Sequence, residues 1–130
     1  MGGQDEDPRG FLPLTPAVLE ILLALAEEDL HGYAIMREVA RRTDGQTRLG
    51  PGTLYRSVGQ LLERGWIRES DERPDPELDD ERRRYYRLTD LGRRAALAEV
   101  GRLEGLVRTA RRKGLFSPAA RPRTAQGEAS

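Results

Sequence analysis

Three short amphipathic helices, a two-stranded hairpin and one long helix, in that order, are what the sequence predicts: a mainly α fold with a small β-hairpin. Three observations carry this reading. Apolar residues recur with a helical period in three segments before Gly65. The period then changes to that of strands on either side of a turn-rich acidic stretch. Finally, Ala96, Val100, Leu103, Val107 and Ala110 are spaced 4-3-4-3, the seam of a long helix with one apolar edge.

Each element has its own signals. Residues 1–10 are acidic and polar and read as a flexible tail. Thr15-Pro16 starts the first helix, with Thr15 as N-cap and Pro16 at the first helical position. Val18, Leu19, Leu22, Leu23, Leu25 and Ala26 give it a broad apolar stripe over roughly 16–28. Leu30-His31-Gly32 breaks it. The second helix spans Tyr33 to Arg42, with Tyr33, Ile35, Met36, Val39 and Ala40 apolar, and Asp44-Gly45 turns the chain. The third begins at Pro51 and closes at Gly65, with Leu54, Val58, Leu61 and Leu62 on one buried face. Gly52, Arg56, Gln60 and Glu63 fall opposite that face, and Thr53 and Tyr55 flank it. Residues 66–69 and 83–88 read as strands joined through 71–81, which contain Pro74 and Pro76. Thr89 caps the last helix, which runs to about Lys113, and Asp90 sits favourably in its first turn. Residues 114–130, rich in Pro, Ala, Arg and Gly, read as disordered.

Composition bounds the function. The chain has 130 residues, which suits one domain with an added helix. It has no run of about 18 apolar residues that would span a membrane. The first ten residues lack the apolar core of a secretory signal, and the expectation is a cytoplasmic protein. Cysteine is absent and His31 is the single histidine, which leaves no thiolate chemistry and makes a zinc site improbable. No phosphate-binding glycine loop and no nucleophile with a nearby base is present, so no catalytic residue, metal or cofactor is expected.

The formal charge is zero, with 22 basic and 22 acidic residues. That cancellation hides a segregation. Residues 1–32 carry −6, residues 33–64 carry +3, residues 65–81 carry −6 and residues 82–113 carry +8. Partner choice follows the local field rather than the total. All but one of the basic residues are arginine, whose planar fork suits phosphates and guanine edges.

The element order is that of a winged helix-turn-helix followed by a long C-terminal dimerisation helix. The boundaries are 11–88 for the DNA-binding domain and 89–113 for the dimerisation helix. The outer face of the third helix carries small residues (Gly52, Gly59) and hydrogen-bonding ones (Thr53, Arg56, Gln60). A helix that enters a major groove needs close backbone approach and side chains that read base edges. Arg37, Arg41 and Arg42 on the second helix, with Arg82, Arg83, Arg84 and Arg87 on the hairpin, are candidates for a rim of phosphate contacts.

Four stretches in order carry a resemblance: Leu30-His31-Gly32-Tyr33-Ala34-Ile35; Gly52-Thr53-Leu54-Tyr55; Leu61-Leu62-Glu63-Arg64-Gly65-Trp66-Ile67; and Arg84-Tyr85-Tyr86-Arg87-Leu88-Thr89-Asp90-Leu91-Gly92. Together they resemble the PadR family of transcriptional regulators over roughly residues 12–113, in its shorter subgroup with a single C-terminal helix. The resemblance implies a homodimeric bacterial DNA-binding protein, usually a repressor released by a small molecule or stress signal. It implies that the third helix enters the major groove, that Tyr33 and Tyr55 lie near the DNA backbone, and that the basic hairpin strand flanks the adjacent groove. On these grounds Tyr33, Thr53, Tyr55, Arg56 and the run Arg82, Arg83, Arg84 are the foremost DNA-contact candidates, with Arg37, Gly52 and Gln60 beside them.

Two features depart from the family pattern. The hairpin tip reads Asp75-Pro76-Glu77-Leu78-Asp79-Asp80-Glu81, which phosphate would repel. The only tryptophan, Trp66, begins a strand rather than lying on the last helix, so sensing of flat aromatic drugs between tryptophans is not supported. Bland readings remain open beside the sharp ones. Tyr33 and Tyr55 suit a structural role as well as a phosphate contact. Tyr85 and Tyr86 point to opposite faces of their strand, which makes at least one a core residue. The arginine run could pair with its own acidic loop. His31 suits a helix start or turn better than a ligand or a switch. The 96–110 seam either packs on the body or meets a second subunit, and the small core closed by the first three helices favours the second subunit. The expected partners are double-stranded DNA, a second copy of the chain, and a small apolar or aromatic inducer. The alternative is a winged-helix protein–protein interaction module without specific DNA binding.

Overall fold

The computed structural model describes residues 7–70 and 84–115. Two units divide the chain. The first ends at Glu99 and the second begins at Val100, partway along the last helix.

The three predicted short helices form where their caps place them. Thr15 Oγ1 accepts from the Val18 amide at 3.2 Å and starts α1, Pro16–Ala24. This helix is shorter than its apolar stripe suggests. Glu27, Glu28 and Asp29 would set three negative charges at a C-terminus that already carries partial negative charge, so the chain leaves the helix before them. After a short strand β1, Leu30–His31, comes α2, Gly32–Arg42. The turn after α2 is left-handed at Asp44 (φ 53°) and Gly45 (φ 79°). Thr43 braces it, donating to the Val39 carbonyl at 2.9 Å and accepting from the Thr47 amide at 3.0 Å. The third helix, α3, Pro51–Arg64, ends on Gly65 at φ 75°, the left-handed C-cap that glycine adopts without a Cβ clash.

Strands β2, Ile67–Ser70, and β3, Tyr85–Leu88, pair antiparallel as predicted, with Ile67 opposite Leu88 and Ser70 opposite Tyr85. The sheet differs from the predicted hairpin by one strand. β1 joins the other edge of β3, with Leu30 opposite Tyr86 and His31 opposite Tyr85, so the order is β1-β3-β2. Two residues are too few to show a period of two, and the sequence reads them only as a helix break. The third strand makes β3 central, and both Tyr85 and Tyr86 are buried in consequence.

The core is a single cluster. Ile21, Leu22, Ile35, Val39, Leu54, Leu61, Trp66 and Ile67 are its most enclosed side chains. The N-terminal segment contributes to it. A 3-10 turn at Pro8–Phe11, capped by Asp7, brings the Phe11 ring edge-on to Trp66 at 5.3 Å, and the Arg64 guanidinium lies over both rings. Residues 1–6, the rest of the segment read as a tail, lie outside the described residues, as do residues 116–130.

The last helix, α4, Asp90–Arg112, starts at a tight joint. The Thr89 amide donates to the Trp66 carbonyl at 3.1 Å, its hydroxyl donates to the Gly65 carbonyl at 2.6 Å, and the same oxygen accepts from the Gly92 amide at 3.0 Å. A Cβ on Gly92 would stand 2.8 Å from the Trp66 carbonyl carbon, so only glycine lets α4 lie this close to the residue that leads into β2.

One ion pair ties the hairpin to the helical body. Asp29 receives Arg87 Nε at 3.1 Å and Nη2 at 2.8 Å, and the Ser70 hydroxyl at 2.6 Å. It thus links the end of the α1–β1 connection to both hairpin strands. The Arg87 guanidinium holds the Asp29 carboxyl below its ordinary value, with Ser70 adding to the effect against the cost of burial. A carboxyl whose folded pKa is depressed contributes stability that is fully present above the unfolded value of 3.8 and is lost as pH falls through the lower folded value. Asp29→Asn should therefore cost about 2 kcal/mol at pH 7, as expected for charge-assisted hydrogen bonds. In urea unfolding at pH 3 the gap from the wild type should narrow. An equal gap at both pH values would contradict the assignment.

Candidate nucleic-acid interface

α3 divides cleanly between a buried and a solvent face. Leu54, Ser57, Val58 and Leu61 are buried, while Gly52, Thr53, Arg56, Gly59 and Gln60 are exposed. A Cβ on Gly52 or Gly59 would meet nothing within 4 Å. No packing within the described residues requires glycine at either position, so both are small on a face that nothing described here covers.

α2 starts close to Tyr55 of α3 and carries two exposed side chains near its own beginning, Tyr33 and Arg37. Tyr33 is 58% exposed in its first turn. Its ring stacks parallel to that of His31 at 6.5 Å, and Arg37 lies over it at 5.6 Å from the centroid. Tyr55 reaches across from α3 to α2. It is 51% exposed, yet its ring end rests on Gly32, where an added Cβ would stand 2.8 Å from Cζ and still nearer the hydroxyl. Tyr55 thus has a packing role on one edge and an open face on the other, and the two readings of it are compatible. His31 is the helix-start residue that the sequence favours, since its Nδ1 accepts from the Ala34 amide at 3.1 Å.

The arginines sort into two groups. Arg41 pairs with Glu38 at 2.8 Å, Arg42 with Glu20 of α1, Arg84 with Glu69 at 3.2 Å, and Arg87 with Asp29. Among the rim arginines read from the sequence, Arg87 is turned inward to a structural pair. Arg84 is exposed but engages the neighbouring strand. Arg82, Arg83 and the acidic tip lie outside the described residues. Arg37, Arg48 and Arg56 are exposed and make no ion pair among the described residues. Arg48 is not among the sequence candidates, because it sits in the connection between α2 and α3, where no periodicity marks a face. Behind this surface, burial raises the Tyr86 hydroxyl above its ordinary value, and Glu69 and Tyr55 push it the same way.

The residues of the 96–110 seam differ in exposure. Ala96, at the end of the first unit, packs against the core. In the second unit Val100, Leu103 and Val107 are exposed and Ala110 is half-buried. Val100, Leu103 and Val107 line a shallow groove bounded by Glu104, Arg108 and Arg111. Glu99, buried between the core-facing and seam-facing lines of the helix, has no signal in the sequence that separates it from a surface acid. No cluster of three or more potential metal ligands occurs among the described residues, and none of their helices is long and apolar enough to cross a membrane.

A helix-turn-helix with an antiparallel wing and an open second helix face is the architecture of a DNA-binding regulator. The chain belongs to the PadR-like family of transcriptional regulators, whose model matches residues 21–98, and is not an enzyme. A transcriptional regulator from Clostridium thermocellum is 25% identical, over 80% of this chain and 93% of that one, with a TM-score of 0.61. RosR of H. salinarum is 28% identical over 75% of this chain and 78% of that one, with a TM-score of 0.55. A PadR family transcription regulator from Clostridium difficile, 21% identical, covers 75% of this chain and 97% of its own, with a TM-score of 0.61, and shares the fold. An uncharacterized protein of Lysinibacillus sphaericus is 36% identical over 73 residues, which are 56% of this chain and 64% of that relative's length.

The contact between Tyr55 and Gly32 can be tested without DNA. Gly32→Ala should lower stability by about 1–3 kcal/mol, the usual cost of overpacking. In a Tyr55→Ala background the same substitution should cost little, because the group it strikes is gone. Equal losses in both backgrounds, measured by thermal unfolding, would show that the contact does not set the α2–α3 distance.

Proposed function

We propose that the chain is a homodimeric, ligand- or stress-responsive repressor that binds an inverted-repeat operator. The observation that carries this reading is the open face of α3: Gly52, Thr53, Arg56 and Gln60 exposed together, with glycines that the fold itself does not need. In this reading Arg56 and Gln60 read base edges, and Gly52 and Gly59 allow close backbone approach. Tyr33, Tyr55, Thr53 and Arg37 contact phosphates, and Arg82, Arg83 and Arg84 flank the adjacent groove. α4 supplies the dimer seam through Ala96, Val100, Leu103, Val107 and Ala110. Two copies related by a two-fold axis then require half-sites about one helical turn apart. An inducer would be small and apolar or aromatic, since the exposed seam offers mostly Val, Leu and Ala.

A second reading, a winged-helix protein-interaction module, draws support from the internal pairing of Arg84 with Glu69 and Arg87 with Asp29. Each pair reduces the charge left for phosphate.

Electrophoretic shift with DNA from the chain's own upstream region separates the two. Specific retention that weakens steeply with salt is expected, since each neutralised phosphate releases counterions. Arg56→Ala should cost about 1–3 kcal/mol and relax preference at the base it reads. Unchanged preference would remove Arg56 from the reading face, and no specific shift for the wild type would favour the interaction module. Introducing Glu at Val100, Leu103 and Val107 together should reduce the solution mass in sedimentation equilibrium from twice 14.6 kDa to 14.6 kDa. A wild-type chain that sediments as a monomer would refute the dimer.

A further inference from the structure

We propose that His31, in its neutral form, is the positioning residue that sets Tyr33 and the first turn of α2 for DNA, so that affinity falls as the imidazole gains a proton. The proposal rests on the DNA-binding reading of α2 and α3 given above.

Four observations meet at this one side chain. Nδ1 of His31 accepts the Ala34 amide at 3.1 Å and is the side-chain N-cap of α2. Ser, Thr, Asp or Asn ordinarily fills that position with an oxygen that does not titrate near neutrality. The imidazole also stacks on Tyr33, with an interplanar angle of 10°. It also meets Tyr85 edge-on at 5.2 Å. Finally, its backbone pairs with Tyr85 in the sheet. His31 therefore joins the wing's central strand to the helix that carries Tyr33, and Gly32, beside it, receives Tyr55.

A cap made by an imidazole nitrogen works in one protonation state only. Nδ1 can accept from Ala34 while it holds a lone pair. Once protonated, it becomes a donor facing a donor, and its positive charge stands at the positive end of the helix dipole. The cap is then lost, and the first turn of α2, with Tyr33, loses its anchor. Among the described residues, the titratable and charged groups near His31 on the elements that it meets include Tyr33 and Arg37 of α2, Tyr55 of α3, Tyr85 and Arg87 of β3, Arg84 just before β3, and Asp29 before β1. Tyrosine, arginine and aspartate side chains ordinarily titrate outside pH 5.5–8, and the chain has one histidine and no cysteine. An imidazole transition in that interval therefore reports His31, the single histidine.

The full chain should be titrated by NMR and by fluorescence anisotropy with the upstream duplex that it retards. At pH 8 the expected imidazole is neutral with the proton on Nε2. Affinity is expected to fall about fivefold from pH 8 to 5.5, in step with the imidazole signal, as the loss of one N-cap implies. His31→Asn, whose carboxamide oxygen can accept the same amide, should bind with a flat profile over that interval. His31→Ala should bind weakly at both ends. A wild-type affinity that is constant or rises on acidification, a His31→Asn variant that keeps the wild-type profile, or an Nδ1-protonated tautomer at pH 8 would each overturn the proposal. If no duplex binds at any pH, the DNA reading fails instead. The cap is then judged on the free chain, where hydrogen exchange at the Ala34 amide should accelerate as His31 is protonated, and unchanged exchange would overturn it.

Discussion

A wing can flank a groove only if it is held at a fixed angle to the helices, and the pairing of Leu30 and His31 with β3 holds it there. Two residues suffice because they sit at a junction. They follow the five-residue connection 25–29 from α1, pair with the central strand, and start α2 without an intervening loop. Asp29, one residue earlier, adds a charged clamp on Arg87 and Ser70. Other features of the interface follow. The depth at which α2 begins fixes Tyr33, and the missing Cβ at Gly32 admits Tyr55 from α3. A loop of ordinary length at this point would leave the wing and the helix pair to move independently.

The second joint has the same logic with different chemistry. Trp66 is nearly fully enclosed, and its backbone carbonyl is approached by Gly92 and hydrogen-bonded by Thr89. Glycine at the close approach and threonine at the cap lock the start of α4 to the first strand of the wing. Small side chains at points of backbone contact and side-chain caps beside them recur at both joints, so the domain is rigid where elements meet and exposed where a partner would bind.

Charge is arranged on the same principle. The zero total conceals a paired set, in which Arg42, Arg84 and Arg87 neutralise acids on neighbouring elements, and an outer set, Arg37, Arg48 and Arg56, that is exposed without an ion pair among the described residues. Pairs within the protein stabilise it modestly and withdraw those arginines from the field felt by a nucleic acid. The outer set lies on and between the two helices of the helix-turn-helix.

Much of this was legible in the residues themselves. Caps at Thr15, Thr89 and Gly65 and the apolar spacing of α3 determined where helices begin, end and face, because those signals are local. The exposed set Gly52, Thr53, Arg56 and Gln60 followed from helical angle alone. What local signals could not carry was decided by tertiary contact. β1 has no sequence period, since its strand character comes from the partner that it meets 54 to 56 residues later. The burial of both tyrosines of β3, the inward turn of Arg87 onto Asp29, and the role of His31 as cap and stacking partner depend on that same meeting. A side chain's helical angle can be read from its position in the chain, but the neighbour it will touch, and hence whether an arginine serves the fold or the surface, exists only after the fold has closed.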